Sequence, residues 1–325
     1  MSKKVFLSML LFFTVSFIFA QDKKIQWVDS VFQTLTPEGK IGQLFMLPVS
    51  ATSHHAADAM FDQINDHHIG GILITGGGPV ASAKLINKLQ QQSKVPLLVG
   101  VNAEWGLSQT MDSTISFPKP LMLGAIRNDS MVYQLGVEIA RQMKVLGIHI
   151  NFAQETYAKF NRENWEEVLL HYSDDKSMAA SKSMAMVRGL QNHGIIVTAK
   201  QNDWKLSSRD TALVMNPALL AEFDFAPYSS MVNNGLNAML TTNLNFSVLE
   251  KKEIIPAPLS ELFISGVLKQ KYGFTGLLFT NMASLQKSIE ENKSGETEAL
   301  AFVAGHDIIV SPENINQASK TILKA

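Results

Sequence analysis

The stretch Gly276-Leu277-Leu278-Phe279-Thr280-Asn281 is an apolar run that begins at a glycine and ends on a carboxamide. Unbroken apolar runs of this length are typical of parallel strands that are covered on both faces. Counting Gly276–Thr280, eight such segments occur along the chain, the others being Ile41–Val49, Ile69–Thr75, Val95–Val101, Gly147–Ala153, Gly194–Ala199, Asn237–Thr242 and His306–Val310. The sequence therefore predicts eight parallel strands.

Segments with helical character lie between the predicted strands. The clearest are Asp129–Val145, Lys176–Asn192, Ala218–Asn233 and Pro258–Lys271. Capping signals precede two of them, at Asn128-Asp129-Ser130 and at Asn216-Pro217. Glycines that come before strands predict helix C-caps at Gly70-Gly71, Gly147, Gly194, Gly235 and Gly273. The stretches Ser50–His55 and Asn202–Pro217 show no clear pattern and are predicted to be loops.

The alternation of eight strands with helices predicts an α/β fold in one domain. Over about 300 residues it fits a (β/α)₈ barrel of the TIM type, whose usual size is about 250 residues. An open, doubly wound sheet is the alternative, because strand order cannot be read from a sequence. No linker or shift in composition divides residues 21–325 into smaller domains.

The amino terminus has the three parts of a secretory signal peptide over residues 1–20. Lys3 and Lys4 precede the apolar run Val5–Phe19, and Ala20 supplies a small residue for cleavage. The run is about 15 residues long, which is short for a membrane span of roughly 20, although an uncleaved anchor is the alternative. A periplasmic or secreted protein that begins at Gln21 is the expectation, with no later segment long and apolar enough to cross a bilayer.

Composition argues against several classes of function. A net charge of −1 with a pI near 6.7 gives no electrostatic footprint for nucleic acid. The absence of cysteine excludes both disulfides and a lipid anchor on a cysteine. The pairs His54-His55 and His67-His68 lie outside the usual metal-ligand spacing, and Gly76-Gly77-Gly78-Pro79 indicates a tight turn rather than a phosphate cradle. No metal and no cofactor are therefore predicted.

Function in a barrel of this kind is found at the carboxyl ends of the strands. The residues predicted there are Asn102, Glu104, Trp105, Asn151, Gln154, Glu155, Lys200, Gln201, Asn202, Asp203, Thr242, Asn243, Asn281 and Ser311. The set is rich in amides, which bind a neutral ligand with many hydroxyls, and poor in groups that transfer protons at neutral pH. The alternative for each amide is that it satisfies loop backbone.

Seven motifs along the chain are shared with a known family. They are Leu35-Thr36-Pro37-Glu38-Gly39-Lys40-Ile41-Gly42-Gln43, Ile69-Gly70-Gly71-Ile72, Val101-Asn102-Ala103-Glu104-Trp105-Gly106, Ser116-Phe117-Pro118, Leu146-Gly147-Ile148-His149-Ile150-Asn151-Phe152-Ala153, Thr198-Ala199-Lys200 and Tyr272-Gly273-Phe274-Thr275-Gly276. With them the chain resembles glycoside hydrolase family 3, specifically the single-barrel N-terminal domain of β-N-acetylglucosaminidases. The resemblance implies a barrel, a retaining O-glycosidase activity and a glycan substrate that contains N-acetylglucosamine.

The chain departs from the family where the resemblance implies catalysts. The family's nucleophile is the aspartate of a Phe-Thr-Asp motif, and this chain has Asn281 at that position. The family's acid/base histidine lies in a loop after the strand-five lysine, whereas Lys200 is followed here by Gln201, Asn202 and Asp203. A retaining mechanism needs an anionic nucleophile, canonically a carboxylate, and a neutral amide cannot serve as one.

Groups that the resemblance assigns to the sugar are also changed. The family's Asp-Ala-Glu motif reads Asn102-Ala103-Glu104, and its arginine falls at Leu170. Its Thr-Ala-His after strand six reads Thr241-Thr242-Asn243. Nucleophile, acid/base and part of the sugar-binding set are thus missing together, while Lys200 and Glu104 remain.

Together with the signal-like amino terminus, these departures predict an exported protein of this family without intact catalytic residues, which binds an amino-sugar glycan or a protein partner. The predicted ligand-binding residues are Asn102, Glu104, Trp105, Lys200, Asn243 and Asn281. One alternative is an active β-N-acetylglucosaminidase with relocated catalysts, for example Glu155 and Asp203 as an inverting pair. Another is a protein that binds a partner and no longer uses the sugar pocket.

Overall fold

The protein forms a closed barrel of eight parallel strands. The computed structural model describes residues 23, 25–53, 55–155, 165–200, 213–222, 226–241, 246–285 and 294–325. The barrel strands are β1 (Phe45–Val49), β2 (Gly71–Ile74), β3 (Leu98–Val101), β4 (Ile150–Glu155), β5 (Ile196–Lys200), β7 (Ala238–Leu240), β10 (Leu277–Asn281) and β11 (Ile308–Val310). Because β1 pairs with both β2 and β11, the sheet has no edge. The predicted (β/α)₈ barrel is confirmed, and the open sheet is excluded.

Helices form the layer outside the barrel. They are α1 (25–34), α2 (Pro37–Gly42), α3 (Ala56–His67), α4 (Pro79–Gln92), α5 (Pro120–Gly124), α6 (Asp129–Val145), α7 (Trp165–Val168), α8 (Lys176–Gln191), α9 (Pro217–Glu222), α10 (Ala226–Asn233), α11 (Met282–Leu285), α12 (Glu296–Ala304) and α13 (Ile315–Ile322). Short 3₁₀ helices cover Leu107–Gln109 and Ala257–Leu259, and a π-helix covers Leu262–Lys271.

Two of the predicted helices differ from the structure in extent. The segment Ala218–Asn233 contains α9 and α10 instead of one continuous helix, with residues 223–225 outside the described part of the chain. The segment Pro258–Lys271 begins as a 3₁₀ turn, and Ser260 separates this turn from the π-helix. The Ser260 hydroxyl donates to the Glu250 carboxylate at 2.8 Å and accepts the Phe263 N–H at 3.2 Å, so it caps the π-helix in place of a continuing turn.

A second sheet of three strands was not predicted. It contains β6 (Leu213–Met215), β8 (Phe246–Glu250) and β9 (Glu253–Pro256), in the order β6-β8-β9. The prediction that Asn202–Pro217 is entirely loop is therefore wrong over β6. A strand of three residues is too short to show periodicity, and its partner β8 lies about thirty residues further along the chain.

The core has two shells, one inside the barrel and one between the barrel and the helices. The inner shell contains Met46, Leu73, Ile150, Phe152, Ala238, Leu240, Phe279, Ile308 and Val310. Phe152 and Phe279 meet edge to face with ring centroids 5.1 Å apart. Leu278, next to Phe279, is fully buried in the outer shell. Because both faces of the strands are buried, the sequence reads as unbroken apolar runs.

Glycine C-caps are confirmed before four strands and are wrong before one. Positive φ angles occur at Gly147, Gly194, Gly235 and Gly273. Before β2, His68 takes the left-handed cap instead, with φ of 52°. Gly70 is required for another reason, since a Cβ there would lie 2.0 Å from the carbonyl oxygen of Gln43.

None of the helices in the described part of the chain combines enough length with enough hydrophobicity to cross a bilayer.

Candidate functional site

Asn281 is the last residue of β10, at the carboxyl end where barrel enzymes carry their chemistry. Its side chain is partly exposed, and the Asn281 Oδ1 accepts the N–H of Ala283 at 3.1 Å. The amide thus caps the first turn of α11 through a local hydrogen bond of the kind that Asn and Asp favour. A neutral amide in this place offers hydrogen bonds to a ligand but carries no anionic oxygen for attack on a sugar.

A turn after β3 carries three of the predicted ligand-binding residues. Asn102 is exposed, Trp105 is partly exposed, and Glu104 is buried with 6% of its surface accessible. The Glu104 N–H donates to Gln109 Oε1 at 2.6 Å, which closes the turn. The Lys119 ammonium lies 5.1 Å from the centroid of the Trp105 ring, in a cation–π contact. The turn after the carboxyl end of β3 therefore carries an exposed amide and a partly exposed indole.

Asn151 in β4 holds that turn in position. Its Oδ1 accepts the N–H of Ala103 at 3.0 Å, and its Nδ2 donates to the Ala103 carbonyl at 3.1 Å. The side chain is 1% exposed, so these two bonds occupy it. The alternative interpretation of the amides, that they satisfy loop backbone, is correct for Asn151.

Several predicted site residues lie outside what the structure describes. Gln201, Asn202, Asp203, Thr242 and Asn243 fall in undescribed stretches, and of Lys200, Gln154 and Glu155 only the backbone is described. Lys200 ends β5 and is in register with Leu240 and with Glu155. Their strand ends are therefore adjacent at the mouth. Ser311 follows β11 with φ of 55°, and its N–H donates to the Met46 carbonyl at 2.9 Å.

His306 is a buried polar residue that sequence reasoning assigned only to a strand. It precedes β11 and lies between the barrel and the helices rather than at the mouth. Its Nδ1 lies 3.0 Å from the Ala301 carbonyl and must donate, so its Nε2, 2.7 Å from the Thr241 hydroxyl, accepts. Both ring nitrogens are satisfied in the neutral form. Burial lowers the pKa of His306 to about 4.

The low pKa of His306 predicts a loss of stability in acid. Since the unfolded chain, with an ordinary pKa near 6.5, binds the proton more readily, stability is complete above pH 6.5 and falls toward pH 4. The loss should be about 3 kcal/mol, from about 1.4 kcal/mol per pKa unit. Burial also lowers the pKa of His149, which acts in the same direction.

Urea unfolding at about pH 7 and about pH 4.5 measures this effect. His306→Asn, which keeps a donor for the Ala301 carbonyl, should flatten the pH dependence between these values even if it lowers stability at neutral pH. If the variant lost as much stability as the parent between these two pH values, His306 would not be the cause of the acid destabilisation.

A cavity of about 1070 Å³ lies beside the first turns of α6 and α8. Trp165, Tyr172 and Met178 line it together with the ion pair of Lys182 and Asp129. The Lys182 Nζ lies 2.5 Å from Asp129 Oδ1. Hydrogen bonds from Lys182 and then Ser181 lower the pKa of Asp129. The sequence analysis placed no site residue there.

Within the described part of the chain, no group of three or more His, Asp or Glu side chains is arranged to hold a metal ion.

Comparison with known families and proteins gives a consistent result. Residues 36–325 match the family model for the glycosyl hydrolase family 3 N-terminal domain. The β-N-acetylglucosaminidase/β-glucosidase of Cellulomonas fimi is 21% identical over 310 residues, which are 91% of this chain and 54% of that protein. The β-hexosaminidase of Thiobacillus denitrificans (strain ATCC 25259 / T1) is 22% identical over 283 residues, which are 81% of this chain and 76% of that protein.

Solved structures share the fold at low sequence identity. The β-glucoside phosphorylase BglX bound to 2FGlc superposes with a TM-score of 0.79 at 19% identity, over 93% of this chain and 56% of that one. A glycoside hydrolase family 3 β-N-acetylglucosaminidase from Paenibacillus sp. str. FPU-7 has a TM-score of 0.71 at 25% identity, over 89% of this chain and 57% of that one. The chain therefore spans about half the length of the Cellulomonas relative and of these two structures.

Proposed function

Because the chain belongs to glycosyl hydrolase family 3, we propose that it is an exported barrel that lacks glycosidase turnover and binds a neutral glycan containing N-acetylglucosamine. The observation that carries the proposal is the amide of Asn281 at the end of β10. Its Oδ1 already accepts a backbone N–H, and the group has no ionised form at neutral pH. The position offers binding without the charge that nucleophilic attack needs.

The glycan part of the proposal is supported by the turn after β3. Aromatic rings with nearby polar groups are common in sugar sites, because a ring covers the apolar face of a sugar while amides bond its hydroxyls. Trp105 and Asn102 supply such groups on one rigid turn, which Asn151 and Gln109 hold. Relatives named β-N-acetylglucosaminidase and β-hexosaminidase favour an amino sugar as the bound unit.

Calorimetric titration with N-acetylglucosamine and with peptidoglycan fragments tests the glycan. Binding is expected, and Trp105→Ala should weaken it about tenfold, since loss of an aromatic contact is worth roughly 1–2 kcal/mol. Trp27→Ala is the matched control, because Trp27 is an exposed indole on α1, a helix that precedes β1 and does not follow the carboxyl end of a barrel strand. If neither ligand releases or absorbs heat, the glycan part of the proposal is rejected.

A second candidate is an active β-N-acetylglucosaminidase, which the names of the relatives favour. It requires replacement catalysts, such as the carboxylates of Glu155 and Asp203. Inverting hydrolysis needs its two carboxyl groups roughly 6.5–9.5 Å apart. Hydrolysis of a chromogenic N-acetylglucosaminide that disappears in Glu155→Gln or Asp203→Asn would establish this candidate instead.

Export is a further part of the proposal, and it makes a testable prediction. The mature chain should begin at Gln21 in the periplasm or outside the cell, because Lys3-Lys4, the apolar run and Ala20 match a cleavable signal. N-terminal sequencing of protein from fractionated cells measures this. Cytosolic protein that retains Met1 would contradict it.

A further inference from the structure

The cavity beside α6 and α8 lies at the same end of the barrel as Asn281. Helix α6 follows β3 along the chain and α8 follows β4, so the first turn of each helix lies on the side where the strands end. The segments before these two helices contain α5 and α7, which line the cavity through Leu121 and Trp165. The cavity therefore lies between two of the loops that carry function in barrels of this kind.

Lys119 connects this cavity to the turn after β3. Its ammonium lies 5.1 Å from the centroid of the Trp105 ring, and it is the N-cap residue of α5. Leu121, which lines the cavity, comes two residues later. Consecutive Cα atoms are about 3.8 Å apart, so the Cα atoms of Lys119 and Leu121 lie within about 7.6 Å of each other. One lysine side chain and a short piece of backbone thus separate the indole from the cavity, a distance that a ligand of several linked sugar units covers.

The walls of the cavity are held by contacts between distant parts of the chain. The Lys182 Nζ lies 2.5 Å from Asp129 Oδ1, which joins α8 to the first turn of α6. A Cβ at Gly124 in α5 would lie 1.7 Å from the carbonyl oxygen of Tyr172, so backbone packs directly on backbone there. The cavity is therefore preformed, as ligand sites usually are.

The lining of the cavity combines an open aromatic ring with polar groups of both signs. Trp165 is 71% exposed although it is a large apolar side chain. Arg127 and Asp174 contribute opposite charges, and Lys182 is paired with Asp129. Because charges of both signs are present, the lining suits a neutral ligand better than an ion. An indole covers the apolar face of a sugar, and the polar side chains bond its hydroxyls.

We propose that this cavity is a second sugar subsite, which holds further units of the glycan whose N-acetylglucosamine unit contacts Trp105. The inference rests on the proposed function and extends it from a single sugar unit to a chain of them. The volume of about 1070 Å³ is at the upper end of the roughly 300–1,000 Å³ that is usual for small-molecule sites, so it has room for more than one unit.

Calorimetric titration with N-acetylglucosamine and with its β-1,4-linked tetramer tests the subsite. The parent should bind the tetramer at least about tenfold more tightly than the monosaccharide, because only the tetramer reaches both Trp105 and the cavity. Trp165→Ala should weaken binding of the tetramer at least about fivefold, since an aromatic contact is lost. The same variant should bind the monosaccharide within about twofold of the parent, because Trp105 is unchanged.

Two further variants serve as controls. Trp165→Phe keeps an aromatic face and should hold the tetramer within about threefold of the parent. Trp27→Ala removes an exposed indole from α1 and should change neither affinity.

Equal affinity of the parent for the two sugars would overturn the subsite and leave the proposed function standing. So would a Trp165→Ala variant that binds the tetramer as the parent does, or one that loses affinity for both sugars in the same proportion. Absence of binding to either sugar would reject the proposed function, and the subsite with it.

Discussion

Purified protein is expected to hydrolyse N-acetylglucosaminides at least about 10⁴-fold more slowly than an active member of its family. Loss of a nucleophile alone costs up to about 10⁶-fold in well-studied hydrolases. General acid help contributes a further 10²–10⁴-fold where it is present. Asn281 provides an amide at the position that the family resemblance assigns to the nucleophile, and Gln201-Asn202-Asp203 stands where the same resemblance places the acid/base loop.

A chromogenic N-acetylglucosaminide measures this turnover, with the Thiobacillus denitrificans β-hexosaminidase as the reference. The control for contaminating enzyme is a preparation made the same way from cells without the gene. Turnover within about a hundredfold of the reference, lost on mutation of Glu104, Glu155 or Asp203, would contradict the prediction.

Restoring a carboxylate at this position is expected to recover little. Asn281→Asp can keep the bond to the Ala283 N–H, because Asp caps such turns as well as Asn does. Covalent attack then becomes possible, but the leaving group still lacks a proton donor, and groups that act as a unit are strongly non-additive. A dinitrophenyl glycoside, whose leaving group needs no proton, should be the better substrate. Family-like rates on a natural disaccharide would show that another residue supplies the proton.

The second large effect concerns stability. Gly42→Ala should destabilise the protein by more than about 4 kcal/mol or prevent folding, at the extreme end of single substitutions. A Cβ at Gly42 would lie 1.6 Å from the carbonyl oxygen of His67. The atoms in conflict are backbone, so relief requires moving the end of α3. That movement would disturb Gly70, whose N–H donates to the Gly42 carbonyl at 3.1 Å as the chain enters β2.

Gly266→Ala is the matched control for that substitution. Gly266 lies inside the π-helix and has no positive φ, and its Cβ would meet nothing closer than 4.0 Å. Alanine favours helices over glycine by up to about 1 kcal/mol, so this variant should be unchanged or slightly more stable. Thermal unfolding followed by circular dichroism compares the two, with a drop of about 10 °C or more expected for Gly42→Ala. Equal melting temperatures for the two variants would contradict the prediction, because they would show that α2 and α3 can move apart at little cost in stability.

The eight barrel strands could be predicted from the sequence because their pattern is local. Strands covered on both faces need apolar residues at every position. In β10, Leu278 packs in the outer shell and the next residue, Phe279, packs in the inner shell. The boundaries of the strands were predicted less well. The predicted strand Ile41–Val49, for example, begins with two residues that belong to α2. There the family motif and the apolar run overlap, and only the hydrogen bonds separate helix from strand.

Properties that depend on the type of a single side chain can also be read from the sequence. Asn281 is an amide in any fold, and the missing cysteines exclude disulfides without reference to structure. The roles of the other amides depended on distance. Asn151 bonds to Ala103, 48 residues away, which makes it a support for the turn rather than a ligand-binding group. The spacing of residues along the chain does not predict this hydrogen bond between Asn151 and Ala103.

Tertiary structure alone decided which surfaces are covered. Trp27 and Phe32 on α1 are large apolar residues, yet both are more than half exposed. Conversely, His306 is a polar residue that packing encloses completely and keeps neutral through Thr241 and Ala301. Sequence periodicity reports how a segment can divide polar from apolar side chains. Whether water, protein or lipid meets each side depends on contacts between segments that are far apart in the chain, and those exist only once the barrel has closed.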